Sequence, residues 1–441
     1  VSLKILIVDT DGVGLAFAWR CVQYGHKVKW FVKPKPGSSK LAGQGFKGVE
    51  RIPNWVSAVP WADLIFATSN DDYIARLEFF KKRGAPVFAP SVASADLEVK
   101  RATGMAFFKK HGIDVPAYKT FKSLEEAEAY VWKKPERYVF KPMGDEEDKA
   151  LTYCSKTPAD MIDKLREWVK KGMKLKGECM LQEFIEGNEF AVSRWMGTKG
   201  WIGLPNINWE HKPFMSGPCG PNTGEAGTVM QYVESDKLFD EVLEPLEVGL
   251  MDLGHLGDID VNCIIDKKGK AYPMEFTMRP GWPAFNIMLQ EHKGDPAQWM
   301  LDALKGKDSM QVSKDVAIGV VVSIPPYPNP SNPEDVEGIP IYGVTKKNQK
   351  YILPQQVMLQ KHVDMDDDKL VEREIWSTTG EYVFIATGLG ETITKASERC
   401  YGTIKEISVS GKQYRDDIGE SLETELGEIQ KHGYALTTRY Q

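Results

Sequence analysis

The chain opens on LKILIVD, an apolar run closed by an acid, and then alternates short apolar runs with amphipathic stretches: LAFAWRCVQYG, KVKWFV, ADLIFAT, YIARLEFFKKRG and PVFAPS. Apolar runs of this length bounded by turn residues predict buried strands, and their alternation with helical stretches predicts β-α-β units in a parallel sheet. Between the first strand and helix lies DTDGVG, whose glycines permit a tight turn and close backbone approach. It lacks the full GxGxxG, and no ribose-binding acid closes the second strand. It is therefore read as a structural turn, with a nicotinamide site as the alternative to exclude by titration.

A helix is predicted over 94–111, broken by Gly112 and Pro116 in HGIDVPAY. Next come SLEEAEAYVWKK (helix), RYVFKP (strand), PADMIDKLREWVKKG (helix) and CMLQEFI (strand), the pattern of a small α+β lid. The helix LFDEVLEPLEVGLMDLG and the hairpin DIDVNCIIDKKGKAYPMEFTM belong to a central, mostly antiparallel region. Beyond the Pro-rich IPPYPNPSNPEDVEGIP, the strand GEYVFIATG precedes a helix in ETITKASERCYGTIKEI. The expected architecture is multidomain, α/β and α+β: a parallel-sheet domain over 1–95, a central domain over 96–312 with a lid at about 117–190, and a mixed domain over 313–441. There is no internal repeat.

Composition narrows the class. At 441 residues, 42% hydrophobic and 27% charged, this is the profile of a soluble globular protein, and the longest apolar runs, such as AIGVVVSI, are far too short to cross a bilayer. The opening strand has none of the three regions of a signal peptide, so export is not expected. Six cysteines without a CxxC and seven histidines without an HxxxH suggest neither a zinc site nor a disulfide framework, and fit a reducing cytoplasm. A net charge of −6 gives no broad footprint for nucleic acid, so a small-molecule substrate is expected.

The hairpin carries the most chemistry. A four-residue turn over 266–269 would set Asp260 opposite Glu275 and Asp258 opposite Thr277, all on one face, with Ile259, Val261, Met274 and Phe276 on the other. Facing carboxylates repel unless a cation lies between them. Magnesium, bound through one or two carboxylates plus substrate phosphates, would relieve that; a solvated edge hairpin is the alternative. Lys141, closing the strand YVFK, and Lys100, opening KRATGMAFFKKHG, are candidates for phosphate oxygens. Gln182, Glu183 and Ile185 follow an apolar strand able to present backbone groups to an adenine edge, with Glu189 placed for ribose hydroxyls.

In their order, these pieces resemble the ATP-grasp superfamily, and within it the glycinamide ribonucleotide synthetase family, over nearly the full length. The segment VFAPSVASADLEVKRATGMAFFKKHGIDVPAY is similar to that family's approach to its first ATP lysine. EHKPFMSGPCGPNTGEAG resembles its DHK…GPNTGGMG segment, and YRDDIG its RRDIG. The resemblance implies ATP held by Lys100, Lys141, Lys149, Gln182, Glu183, Ile185 and Glu189. It implies a wall for the acceptor formed by Lys212, Pro221, Asn222, Thr223 and Gly224, and magnesium (or manganese) at Glu275 and Thr277. Asp260 joins the metal set from the hairpin geometry, and Arg279, whose planar fork matches carboxylates and acyl phosphates, is assigned to catalysis with Lys141.

Implied with these is an ADP-forming carboxylate–amine ligase of purine biosynthesis. It would join an amino acid, taken as glycine, to 5-phosphoribosylamine through a glycyl phosphate, acting as a cytoplasmic monomer or weak dimer. Departures from the pattern motivate two rivals, an amino-acid ligase for another amine such as a modified nucleotide and a non-catalytic nucleotide-binding homologue. Thr277 stands where the family has asparagine, RPGWPAF replaces RFGDPE, and the lid loop reads GDEEDKAL, with acids Asp145, Glu146 and Glu147 where a triphosphate would sit.

Overall fold

The run KILIVD forms β1 (Lys4–Asp9), the central strand of a five-stranded sheet. It is followed by α1 (Leu15–Gln23), β2 (Lys27–Val32), β3 (Val49–Arg51), β4 (Leu64–Ala67), α2 (Ile74–Lys81) and β5 (Val87–Phe88). All pairings are parallel, in the order β3-β2-β1-β4-β5. The period of two splits β1 between two cores: Ile5 and Ile7 pack with α1 and the central domain, Leu6 and Val8 with α2. The computed structural model describes residues 2–34, 39–143, 152–175, 177–217, 219–329, 332–366 and 369–441.

The turn after β1 is organised by an acid. Asp9 is fully buried, and its Oδ1 accepts from the N–H groups of Asp11 (3.0 Å) and Gly12 (2.9 Å) and from Thr68 Oγ1 (2.9 Å). Its Oδ2 accepts from Gly14 N–H (2.7 Å) and Trp30 Nε1–H (2.9 Å). A Cβ at position 14 would lie 2.8 Å from that Oδ2, so only glycine allows the approach. The donors at the start of α1, which a dinucleotide fold offers to pyrophosphate, are thus taken by the protein's own carboxylate. DTDGVG is a structural turn.

The helix expected over 94–111 is two helices, α3 (Val92–Val99), capped by Ser91, and α4 (Arg101–Lys110), with Lys100 out of helical conformation between them (φ −105°, ψ 89°). The lid follows: β6 (Tyr118–Phe121), α5 (Leu124–Lys133), β7 (Tyr138–Pro142), β8 (Tyr153–Cys154), α6 (Pro158–Lys170) and β9 (Cys179–Glu183). Its antiparallel sheet, in the order β6-β9-β7-β8, packs on its two helices around Leu124, Phe140, Leu165 and Trp168. The loop GDEEDKAL, with Lys149, lies outside the described residues.

The long strands β10 (Gly187–Gly197), β11 (Gly200–Met215) and β12 (Cys219–Tyr232) begin an antiparallel sheet of eight. Where one helix is expected in LFDEVLEPLEVGLMDLG, a π turn at Phe239–Leu243 and a 3-10 turn at Glu244–Leu246 precede the short α7 (Glu247–Asp252). Pro245 has no N–H for a regular ladder. The hairpin β13 (Gly257–Asp266) and β14 (Ala271–Thr277) forms one edge of the sheet, followed in sequence by α8 (Ala284–Glu291), β15 (His292–Lys293), α9 (Pro296–Leu304) and β16 (Gln311–Val312).

Next come β17 (Val316–Ser323), α10 (Pro333–Val336), β18 (Pro340–Tyr342), β19 (Ile352–Pro354), β20 (Val357–Asp366), β21 (Lys369–Thr378), β22 (Tyr382–Gly390), α11 (Ile393–Glu406), β23 (Ser408–Val409) and α12 (Leu422–Lys431). The sheet runs β14-β13-β10-β11-β12-β17-β22-β19, so strands on both sides of residue 312 share it. No helix among the described residues is long and apolar enough to cross a membrane, and all six cysteines are free thiols.

Two predictions follow from buried groups. Asp9→Ala leaves several donors unsatisfied, and is expected to lower stability by about 2–4 kcal/mol, read as a drop in the thermal or urea midpoint; an unchanged midpoint would contradict the arrangement. Burial pushes His211 down to about 4, assisted by Arg415, and His255 and His292 down to about 3. Their folded values lie below the unfolded one, so stability is full above about pH 6.5 and declines as pH falls, by about 1.4 kcal/mol per pH unit for each imidazole. Denaturant titrations between pH 7 and 5 measure that slope.

Candidate functional site

Pairing brings polar residues from three strands onto one face of the large sheet. Ser193 of β10 stands opposite Asp260 of β13 and Asn206 of β11, and Ala191 stands opposite Asn262 and Asn208. Directly opposed residues share a face, and Glu210 lies two beyond Asn208. Ile259, Val261, Val192, Ile207 and Trp209, at the alternate positions, fill the core. Because Ala191 and Ser193 are small, side chains from the flanking strands meet above β10. Asn208 Nδ2 donates to Asp260 Oδ2 (2.7 Å) and Asn262 Nδ2 to Glu210 Oε2 (3.1 Å).

The hairpin register differs from the expectation. Asp260 faces Thr277, and Asn262 rather than Asp260 faces Glu275. The turn is one residue longer, with Asp266 paired to Lys270 and its Oδ1 accepting the N–H groups of Lys268 and Lys270, and an irregularity at Asn262/Cys263 adds a second residue. A shift of two keeps Asp260, Glu275 and Thr277 on the polar face and Ile259, Val261 and Phe276 on the core face, but replaces the opposed carboxylates by a carboxylate and an amide; Met274, expected in the core, falls at the irregularity, and Pro273 faces Cys263 instead. Phe276, on the apolar side, stacks on Phe108 of α4 with centroids 4.1 Å apart.

Cations gather at the rim. Arg101, the first residue of α4, donates to Glu275 Oε2 (2.9 Å). Lys212 lies 3.1 Å from Glu210, 3.3 Å from Glu189 and 3.9 Å from Glu275. Burial would lower its pKa, but these carboxylates outweigh that and raise it. Lys141, brought by β7, is buried; desolvation lowers it to about 8 although Glu275 pulls the other way. Lys100 is not in this group, since its Nζ bonds Asp96 (3.0 Å) one turn back on α3. Arg101 was missed because both members of the KR pair are basic, and only the start of α4 decides which one faces the hairpin.

Gln182, at the end of β9, is fully buried, and neither atom of its amide has a partner among the described residues. Glu183 is exposed and Ile185 half-buried, while Glu189 forms the ion pair with Lys212. GPNTG lies on a protruding arm, the outer part of the β11–β12 hairpin, with Pro221, Asn222 and Gly224 exposed. Thr223 Oγ1 donates to the carbonyl of Lys212 (2.7 Å). At the tip, Gly217 and Gly220 take positive φ (68° and 81°). Gly217 N–H donates to Asp417 (2.7 Å), Ser216 bonds Asp416, and Arg415 pairs with Asp417 and donates to Pro213 O (3.1 Å). The arm and the segment YRDDIG therefore form one unit.

Arg279 stands apart from the Glu275 cluster. It pairs with Glu98 (3.4 Å), the main cause of its raised pKa, with Asp11 and Asp71 adding to it. Glu98 also accepts from Asn70 Nδ2 and Met278 N–H (both 2.7 Å), so Arg279 is held between α3 and the loops after β1 and β4. Missed by sequence reasoning were Asn206, Asn208 and Glu210, although the alternation in PNINWEHK signals them, and Glu225, which gives no such signal. Among the described residues, no group of three His, Cys, Asp or Glu could hold a metal ion.

Residues 101–252 match the family model described as phosphoribosylglycinamide synthetase, ATP-grasp (A) domain. The chain is 25% identical over 440 residues to the phosphoribosylamine–glycine ligase of Ralstonia nicotianae, covering 95% of this chain and 99% of that protein. It is 27% identical over 449 residues to the enzyme of that name from Streptococcus pneumoniae, covering 95% and 99%. Among solved structures, phosphoribosylamine–glycine ligase from Thermotoga maritima has a TM-score of 0.71 at 21% identity, covering 95% of this chain and 100% of that one. A biotin carboxylase complex from Campylobacter jejuni has a TM-score of 0.62 at 13% identity, covering 98% and 97%.

If the rim is where phosphate oxygens bind, Arg101→Met should weaken binding of an ATP analogue about tenfold or more, since a hydrogen bond to a charged group is worth about 1.5–3 kcal/mol. Lys100→Met should change it less than about twofold. Calorimetric titration of both variants checks the contrast.

Proposed function

We infer that this chain, a member of the ATP-grasp superfamily related to phosphoribosylglycinamide synthetase, is an ATP-dependent, ADP-forming carbon–nitrogen ligase. The reading that its relatives favour joins glycine to 5-phosphoribosylamine, a step of purine biosynthesis, and we assign it to the cytoplasm. The observation that carries the ligase reading is the convergence of Arg101, Lys141 and Lys212 on Glu275 beside a buried polar sheet face.

The residues present suit the nucleotide and its metal. Gln182's unpartnered amide has a donor and an acceptor for a base edge. Glu275, with Thr277 and the bare Oδ1 of Asn262 nearby, is a set of hard oxygen donors, and magnesium needs only one or two carboxylates when phosphates complete its shell. Bound there, the ion would neutralise charge on the transferring phosphoryl group. The lysines and Arg101 would hold phosphate oxygens in line with the attacking carboxylate, and alignment of this kind lowers a barrier by about 7–11 kcal/mol. In this reaction class the carboxylate oxygen attacks the γ-phosphorus and ADP leaves. The amine nitrogen then attacks the acyl carbon, phosphate leaves and the nitrogen loses a proton.

A second reading keeps the chemistry and changes the acceptor. The region around Arg279 is acidic (Glu98, Asp11 and Asp71), and the helix N-terminus beside it is filled by Asp9, which disfavours a phosphorylated amine at that place. Incubating the enzyme with ATP, glycine and phosphoribosylamine generated in situ, and following ADP and product mass, is expected to show the glycinamide product. Glu275→Gln should lower turnover by about 100-fold or more with the fold intact. ADP formation with another amine but none with phosphoribosylamine would select the second reading, and no ADP with any acceptor would reject both.

A further inference from the structure

The ribbon of β20 and β21 carries exposed groups that the ligase site does not use. Its register is continuous, with Lys361 opposite Glu374, Val363 opposite Glu372 and Met365 opposite Leu370 on one face, and His362 opposite Arg373 and Asp364 opposite Val371 on the other. Val363, Met365 and Leu370 are 61%, 55% and 74% exposed. Lys361, Glu372, Arg373 and Glu374 are exposed as well, so this end of the ribbon is open to solvent on both faces.

In the order β20-β21-β18-β23, β20 is an edge. Its first part is covered: Gly43 N–H donates to the carbonyl of Val357 (2.8 Å) and Leu359 N–H to the carbonyl of Gln44 (2.8 Å). Both are odd positions, so parity turns the N–H and C=O groups of Lys361, Val363 and Met365 to the same outer side, away from β21. Among the described residues no strand pairs with them there, and Met365 N–H is met by the carboxylate of its neighbour Asp364 (2.8 Å). Proteins blunt such edges with proline, a bulge or a covering segment. Among the described residues this stretch has none of the three.

Parity and charge together select a partner. A second copy of β20 running antiparallel must set odd positions against odd ones, and only the register centred on Val363 engages all three outward positions of both copies. That register sets Val363 against its own copy, Lys361 against Met365 of the partner subunit, and His362 against Asp364 of the partner subunit, twice by symmetry. Moving the centre by one residue leaves an outward position unused and opposes His362 to its copy or Asp364 to its copy. In the favoured register Asp364 exchanges Met365 N–H for an imidazole, with Arg373, 3.7 Å away in its own ribbon, on the same face. Lys361, 3.2 Å from Glu372, lays its methylenes beside a methionine.

We propose that β20 is a self-association edge, through which two copies of this chain pair antiparallel about a two-fold axis at Val363 and join their four-stranded sheets into one of eight. Main-chain bonds supply the affinity, and the His362–Asp364 pairs supply the register. The contact is small, so the dimer is weak and concentration-dependent. The proposal is independent of the reaction assigned to the chain.

Sedimentation velocity of the full chain from about 5 to about 200 µM, a range matched to small interfaces, should show a monomer passing reversibly to a dimer. Val363→Pro removes the N–H at the axis from both copies without touching a bond to β21, because that N–H faces outward. It should raise the dissociation constant about tenfold or more while keeping the thermal midpoint of the dilute wild type. In a hydrogen-bonded antiparallel pair the two Cα atoms at the axis lie about 5.5 Å apart, within disulfide reach. Val363→Cys should therefore form a disulfide-linked dimer with oxidised glutathione, well above the background of the wild type, whose Cys154 and Cys219 are exposed. Leu370→Cys, one strand further from the axis, should not exceed that background. A wild type that stays monomeric over the range overturns the proposal. A dimer that Val363→Pro leaves as tight, or a Val363→Cys variant no more cross-linked than Leu370→Cys, assigns association to another face and overturns it equally. Should Val363→Pro fail to fold, the cross-linking comparison decides alone.

Discussion

Burial of a polar face on the eight-stranded sheet is the constraint on which the rest depends. Such a sheet ordinarily sends one face to a core and the other to solvent. Here the second face is also covered, yet it carries Asp258, Asp260 and Asn262 from β13 and Asn206, Asn208 and Glu210 from β11. Amide-to-carboxylate bonds across β10 satisfy part of this set, made possible by Ala191 and Ser193 in the strand between. What remains unpaired is expensive in the absence of ligand, as is usual where a fold sacrifices stability for a site.

Around that face, separate segments lock the rim into place. α4 stacks Phe108 on Phe276 of the hairpin, which sets Arg101 against Glu275. The lid contributes Lys141 and Gln182 from neighbouring strands, where Val139 pairs with Gln182 and Lys141 with Met180. Thr223 ties the GPNTG arm to the backbone of Lys212, and the arm tip is held in turn by Asp416 and Asp417. His211 joins both: its Nε2 accepts the N–H of Gly419, 208 residues away, which requires the neutral ring that burial imposes. The three segments that carried the family resemblance are therefore linked, Arg101 and Lys212 through Glu275 and the arm directly to YRDDIG.

The N-terminal sheet tells a complementary story. Its strand order reverses at β1 and β4, the position at which such sheets usually bind ligands. Asp9 occupies the helix donors there, and Asp11, Asp71 and Glu98 surround Arg279. This switch point therefore sets its cations, Arg279, Arg51 near Asp9 and Lys33 paired with Asp72, among carboxylates.

Much of this was legible in the chain. Alternation assigned the faces of Asp260, Glu275, Thr277, Ile259, Val261 and Phe276, because side-chain direction depends on the parity of position and a register shift of two preserves parity, but it misplaced Met274, where the local irregularity breaks the alternation. The partners across the hairpin were not legible, since a turn longer by one residue and a local irregularity are settled by packing and by Asp266's bonds to its own turn. The choice between Lys100 and Arg101 was equally hidden: the helix break at Lys100 fixes the rotation of α4, and rotation decides which neighbouring cation meets Glu275. Pattern along a chain determines what each segment buries. Only tertiary structure determines which charges then face one another, because that depends on registers and rotations shared between segments far apart in sequence.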